Sequence, residues 1–208
     1  MIAQFYNDNK TSKELLDNIE ISLTSYNDAK DIVSILCKSF NISSIEEALK
    51  QLIFSKADLN NSVKAYDKRD GKIYGILIFS EFNINQGSPL HFINPFLSDV
   101  LNNSKQLNGH SFVIDERLRG TNLDKKMLFF QKDYLKTYDI IWCGVENDLN
   151  THSYWQRLGF IEAFHNNEAK FYIKSFNKNI MLQILILKML NESNEKNFYK
   201  RKTRAITV

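Results

Sequence analysis

The chain has 208 residues, 43% of them hydrophobic, with 27 basic and 24 acidic side chains for a formal charge of +3. This length supports one substantial core with appendages at its ends, and interspersed charges of opposite sign do not announce a nucleic-acid binder, the short basic cluster Lys196, Lys200, Arg201, Lys202 and Arg204 reading as a solvated tail before it reads as a nucleic-acid contact. No apolar run reaches the roughly 18–20 residues that cross a bilayer; the longest, Ile180 to Leu190, is broken by Gln183 and Lys188. Neither a membrane nor a nucleic-acid partner is therefore expected. Cys37 and Cys143 sit in apolar stretches and read as buried thiols. With few cysteines and no secretory leader, the expected setting is the cytoplasm.

In chain order, Ser12 to Asn18 suggests a short helix within an N-terminal extension, residues 1–18. Ile19 to Thr24 alternates as a half-buried strand, and Asp28 is placed to cap a helix through Phe40 whose apolar side is Ile32, Val33, Ile35, Leu36 and Phe40. Ser43 and Ser44 precede a helix over Ile45 to Phe54 with Ala48, Leu49, Leu52 and Ile53 as its apolar face. After the turn-prone Asp58 to Asn61, Ser62 to Tyr66 and Lys72 to Phe82 form a hairpin about Lys68 to Gly71.

Asn83 to Asn108 reads as a surface segment with a short helix. His110 to Asp115 is the next strand, followed by a helix from about Asn122 to Lys136 with Leu123, Met127, Leu128, Phe130 and Leu135 facing a sheet. Asp139 to Val145 is a continuous apolar strand, and Leu149 to Arg157 a short helix capped by Gly159. A hairpin of Phe160 to Phe164 with Lys170 to Phe176 and a helix over Asn179 to Leu190 complete a single domain, residues 19–190, before a basic tail, residues 191–208. Strand–helix–strand over Ser111 to Val145 demands a parallel pair, whereas the hairpins demand antiparallel ones. The expected fold class is α/β in the α+β sense: a mixed, mostly antiparallel central sheet flanked by helices.

Val113 to Leu128, reading VIDERLRGTNLDKKML, holds the strongest functional signal. An extended segment that turns directly into a helix points several N–H groups outward at one spot. Arg117, Arg119, Lys125 and Lys126 lie close by, so the junction suits an anionic, phosphate-bearing ligand. Cysteine and histidine spacing gives no metal site.

Two stretches together resemble the GCN5-related N-acetyltransferase superfamily. Arg117-Leu118-Arg119-Gly120-Thr121-Asn122 is similar to its pyrophosphate-binding pattern, and Tyr154-Trp155-Gln156-Arg157-Leu158-Gly159-Phe160 to its aromatic pair followed by Leu-Gly-Phe. The resemblance departs at Asn122, where Gly or Ala is usual, and at Trp155, where many members carry a tyrosine that protonates the departing thiolate. It implies the acyl-CoA N-acyltransferase fold, acetyl-CoA as cosubstrate, and a primary amine of a small molecule or peptide as acceptor. The protein would be a monomer or homodimer. In that arrangement coenzyme A lies between the strand ending near Asp115 and the strand Asp139 to Val145. The backbone of Phe112, Val113, Ile114 and Asp115 pairs with the pantetheine arm. The N–H groups of Leu118, Arg119, Gly120, Thr121, Asn122 and Leu123 hold the pyrophosphate, and Arg117 and Arg119 add charge. Asp148, Thr151 and Trp155 are further coenzyme contacts or, for the first two, helix caps.

Amine acylation needs a base for the amine proton and an acid for the thiolate. Glu81, at the end of a predicted central strand, is the first choice of base, with His110, Asp115 and Glu116 as others. Tyr154, beside Trp155, is the candidate acid. Each has an ordinary alternative: a strand-end carboxylate, a loop-edge imidazole, a turn charge, a packed ring. A catalytically weak coenzyme-binding sensor of the same fold is the competing function, suggested by Asn122 and Trp155.

Overall fold

The computed structural model describes residues 11–81, 95–146, 151–165 and 169–189. They fall into two compact units, Met1–Phe82 with Leu107–Thr137, and Asn83–Gln106 with Tyr138–Val208.

In the first unit, strands β1 (Ile19–Leu23), β2 (Ala57–Asp67), β3 (Ile73–Ser80) and β4 (Gln106–Ile114) pair antiparallel in that order. Every residue of β3 is buried, as its uninterrupted IYGILIFS run requires of a strand covered on both faces. On one face Ile76 and Ile78, with Val113 of β4, pack against Ile32, Val33, Ile35 and Leu36 of α2 (Ala29–Phe40) and Ala48 and Leu52 of α3 (Ile45–Phe54). Each of the Val, Ile and Leu side chains contributes roughly 1.5–3 kcal/mol of transfer free energy. The opposite face receives α5 (Leu123–Phe130) and α6 (Lys132–Leu135). A Cβ at Gly75 would lie 3.1 Å from the Met127 sulfur, so glycine lets α5 approach the sheet. The Phe79 and Tyr134 rings stand 6.2 Å apart on the same side. The short α1 (Ser12–Leu16) buries Leu15 and is closed by a Thr11–Glu14 capping box.

Several expected boundaries move for identifiable reasons. Asp58 to Asn61 is not a turn ahead of the strand but an irregularity within β2. The Asp58 carboxylate accepts the Asn61 N–H and Nδ2–H (3.2 and 2.7 Å), while Ser62 Oγ donates to Asp58 O (2.6 Å) and accepts the Phe79 N–H (3.1 Å). Side chains thus satisfy the backbone while pairing continues on either side. The helix expected over Asn122 to Lys136 breaks at Gln131 (φ −100, ψ 29) into α5 and α6. Asp28 does not cap α2 with its side chain; its carboxylate turns to Ser25, closing a 3₁₀ turn over Tyr26–Asp28, and to Lys64 Nζ at 2.6 Å. Phe40, Leu49, Ile53 and Phe130, assigned to apolar faces, are exposed, Ile53 to 76%.

In the second unit, β5 (Ile140–Glu146) pairs antiparallel with β7 (Ala169–Lys174), which pairs antiparallel with β6 (Ile161–His165). Trp142, Phe171 and Phe164 form an aromatic row on one face, Phe164 and Phe171 stacked at 4.5 Å. Cys143 sits opposite Tyr172 on the other, buried as expected, and burial pushes its thiol far up. The unit also contains α4 (Pro95–Asn102), α7 (His152–Arg157) and α8 over residues 178–189. Among the described residues no helix is long and apolar enough to cross a membrane.

Candidate functional site

The β4–α5 junction begins at Asp115, which is 1% exposed and caps a 3₁₀ turn over Glu116–Leu118. Its Oδ1 accepts from Arg117 N–H (3.0 Å) and Nε (2.9 Å), its Oδ2 from Arg117 Nη2 (2.9 Å). Asp67 and Arg69 repeat this arrangement after β2. Asp115 is therefore a poor candidate base: both its oxygens are held by Arg117 and it is closed to solvent. Arg117, half-buried over the Tyr74 ring at 5.6 Å, stiffens the turn. The Asp-X-Arg pattern, present twice in the sequence, is the signal for this pairing. Glu116 is exposed.

Past the turn the backbone enters the left-handed region twice, at Gly120 (φ 77) and Asn122 (φ 64). The place where the resembling family carries Gly or Ala is thus a left-handed one, and asparagine is among the few other residues that adopt it readily. Asn122 makes no side-chain capping bond. Thr121 Oγ1 instead donates to Leu118 O (2.6 Å), closing the turn from inside.

The N–H groups of Leu118 and Arg119, expected to face a ligand, are consumed in the 3₁₀ turn by Asp115 O (2.9 Å) and Glu116 O (3.2 Å). The Leu118 side chain is buried. The first hydrogen bond of α5 runs from Lys126 N–H to Asn122 O (3.1 Å). Among the described residues, no N–H group from Gly120 to Lys125 has an acceptor. These consecutive donors, with Arg119, Lys125 and Lys126 exposed around them, are an arrangement whose chemistry suits an anion. A Cβ at Gly120 would meet nothing within 4 Å, so the space above the turn is open. The chemistry of these donors fits the diphosphate of coenzyme A.

At the other end of β4, the register shifts between Ile78↔Ser111 and Phe79↔Gly109, leaving His110 as the extra residue of a bulge. His110 was expected to begin this strand; β4 starts four residues earlier, at Gln106. Its Nδ1 lies 2.7 Å from Ser111 Oγ, and burial lowers its pKa. Glu81 is exposed, one residue beyond the end of β3.

The aromatic element lies in the second unit, on α7. Tyr154 and Trp155 meet edge to face at 5.4 Å, and Trp155 meets Phe160 at 5.2 Å. Thr151 precedes α7 without a side-chain cap bond, so it does not cap as expected. Asp148 lies outside the described residues. His152 Nδ1 is 3.0 Å from the Tyr172 hydroxyl, tying α7 to β7. Gly159 (φ 82) ends the helix in the left-handed conformation. Lys174 Nζ donates to Leu158 O (2.6 Å) beside it, a cation on the negative helix end that sequence reading missed because β7 supplies it. Replacing Lys174 with methionine is expected to cost about 1 kcal/mol. An unchanged urea midpoint would reject that capping role.

No protein-family model and no curated protein sequence matches the chain. Solved structures do. YhbS of Escherichia coli, a GNAT family N-acetyltransferase in complex with CoA, is similar with a TM-score of 0.55 and 18% identity over 85% of this chain and 88% of its own. A mosquito arylalkylamine N-acetyltransferase like 5b gives 0.54 and 15%, over 76% and 100%. PaiA N-acetyltransferase from Thermoplasma acidophilum, in complex with coenzyme A, gives 0.52 and 12%, over 76% and 99%. The fold is that of the GCN5-related N-acetyltransferases. The acetyltransferase fold accounts for the α+β class and for the mostly antiparallel sheet flanked by helices. It leaves the acceptor open.

Proposed function

We propose that the chain transfers an acetyl group from acetyl-CoA to a primary amine of a small molecule or peptide. The observation that carries this reading is the row of N–H groups from Gly120 to Lys125 at the β4–α5 junction, which have no acceptor among the described residues. Two of the similar structures hold coenzyme A. On this reading the diphosphate rests on that row and the pantetheine arm follows the backbone of Phe112, Val113, Ile114 and Asp115. Arg119 supplies field, while Arg117, held by Asp115, acts by fixing the turn. Thr151, Trp155 and Asp148 are the proposed contacts from the α7 region. Glu81, an exposed carboxylate, draws the ammonium form of the acceptor and takes up its proton through water. Tyr154 protonates the departing thiolate.

Titration calorimetry with coenzyme A and acetyl-CoA tests the reading; absence of binding up to millimolar ligand in folded protein sinks it. Tyr154→Phe is expected to leave coenzyme affinity intact and lower kcat about a hundredfold. An unaltered kcat removes Tyr154 from the chemistry. Binding without turnover on any amine would make the chain a coenzyme-binding sensor.

A further inference from the structure

The helix α8, residues 178–189, is apolar on two sides. At about 100° per residue, Ile180, Ile184 and Leu187 share one side, and Leu182, Leu185, Ile186 and Met189 share the other. The first side is the inner one: Ile184 is 1% exposed, and Ile180 and Leu187 are half-buried. The second faces outward, with Leu182 57% exposed, Leu185 39%, Ile186 42% and Met189 62%. A surface helix normally turns charged and polar residues to solvent, and one that is apolar all round is covered all round.

The rotation of α8 is fixed at its start. Asn177 Oδ1 accepts the Asn179 N–H (3.0 Å), and Ser175 Oγ accepts the Asn177 N–H (3.0 Å) while donating to Asp139 O. Met181 Sδ accepts the Ser175 N–H (3.1 Å). These contacts tie the helix to the chain after β7 and before β5, so the outward stripe has a set direction.

Charge gathers at the same place. The charged side chains of α8 are Lys178, exposed at the head of the stripe, and Lys188, half-buried near its other end; no acidic residue lies between them. Residues 178–208 hold seven basic and two acidic side chains, which leaves 20 basic and 22 acidic in residues 1–177. The net positive charge of the chain therefore belongs to α8 and the sequence after it, and the remainder is slightly acidic.

We propose that α8 attaches the protein to an anionic lipid surface. It lies along the bilayer interface with Leu182, Leu185, Ile186 and Met189 at the acyl boundary and with Lys178 and Lys188 reaching to the headgroups. Stable surface attachment takes two signals, and an apolar stripe joined to a basic segment supplies both. A second copy of this chain fits the stripe less well. Its α8 offers no carboxylate to answer the lysines, and four side chains fall short of the roughly 20–30 residues a side that a stable protein interface engages. A lipid surface supplies negative charge over its whole area and needs no shape-matched partner. Attachment of this kind requires no helix that crosses the bilayer, and it needs neither coenzyme nor acceptor.

Vesicle flotation of the full chain tests the assignment, with neutral phosphatidylcholine vesicles and with vesicles carrying about 30% phosphatidylserine. At about 0.1 M salt the protein is expected to bind the anionic vesicles at least tenfold more tightly than the neutral ones, and to lose that preference near 1 M salt. Leu185→Glu/Ile186→Glu is expected to weaken binding at least tenfold, and Lys178→Gln about fivefold. Should the double variant fail to fold by circular dichroism, Leu182→Gln/Met189→Gln, at the two most exposed positions of the stripe, supplies the same readout. Wild type that does not float with anionic vesicles overturns the inference, as does equal binding to neutral ones. A folded stripe variant that floats like wild type also overturns it, because the basic residues alone would then account for binding. Self-association that the stripe variant abolishes, without flotation of wild type, assigns the stripe to a second copy and overturns it as well.

Discussion

Gly120→Val is expected to lower the affinity for coenzyme A at least tenfold, whereas Gly120→Asn is expected to hold it within a few-fold of wild type. The difference comes from backbone conformation, because a Cβ at this position meets nothing within 4 Å. At φ 77 a β-branched residue is strained by roughly 1–2 kcal/mol. Valine relieves the strain by turning φ negative, which re-aims the N–H groups of Gly120 and Thr121 away from the diphosphate. Asparagine tolerates the left-handed region, as Asn122 already does two residues later. Calorimetry on both variants decides the matter. A valine variant with wild-type affinity would show that the diphosphate is held elsewhere.

Asp115→Ala is expected to be the most destabilising change at the junction, by about 2–4 kcal/mol in urea unfolding. It removes the acceptor of three hydrogen bonds from Arg117 and takes the Asp115 carboxylate away from a half-buried guanidinium. Removing both partners in Asp115→Ala/Arg117→Ala should cost less than the sum of the two single changes, since the guanidinium goes with the carboxylate. A single-variant loss below about 1 kcal/mol, or strict additivity, would mean that the pair is not what holds the turn. Coenzyme affinity should fall with the single change, because the 3₁₀ turn that orders Gly120 depends on the Asp115 cap.

Much of the molecule was legible because its signals are local. The continuous apolar run Ile73–Ser80 became the strand buried on both faces, and the glycines at Gly71 and Gly159 took the left-handed conformations that a hairpin turn and a helix end require. The basic turn before α5 was legible for the same reason: a strand that runs straight into a helix must present N–H groups wherever it bends. What misled was composition read without partners. Asp58 to Asn61 has the residues of a turn leading into a strand, yet their side chains cap the backbone inside β2. Leu49 and Ile53 fit helical periodicity, but α3 buries only Ala48 and Leu52 against the sheet. Arg117 read as a ligand for phosphate because its carboxylate partner, two residues before it, counted as a separate charge.

By itself, the chain's order of residues determined the identity and succession of nearly all elements, the basic turn that leads into α5, and the resemblance that the solved structures support at the level of fold. These depend on φ preferences and on periodicity, both properties of neighbours in sequence. Only the tertiary structure decided which donors are available: among the described residues Leu118 and Arg119 have acceptors while Gly120 to Lys125 have none. It alone decided that His110 stands out of register in a bulge beside buried Ser80, Asn108 and Ser111. Hydrogen-bond partners and strand register are set by pairing between segments far apart in the chain, and a bulge of one residue changes the face of everything beyond it.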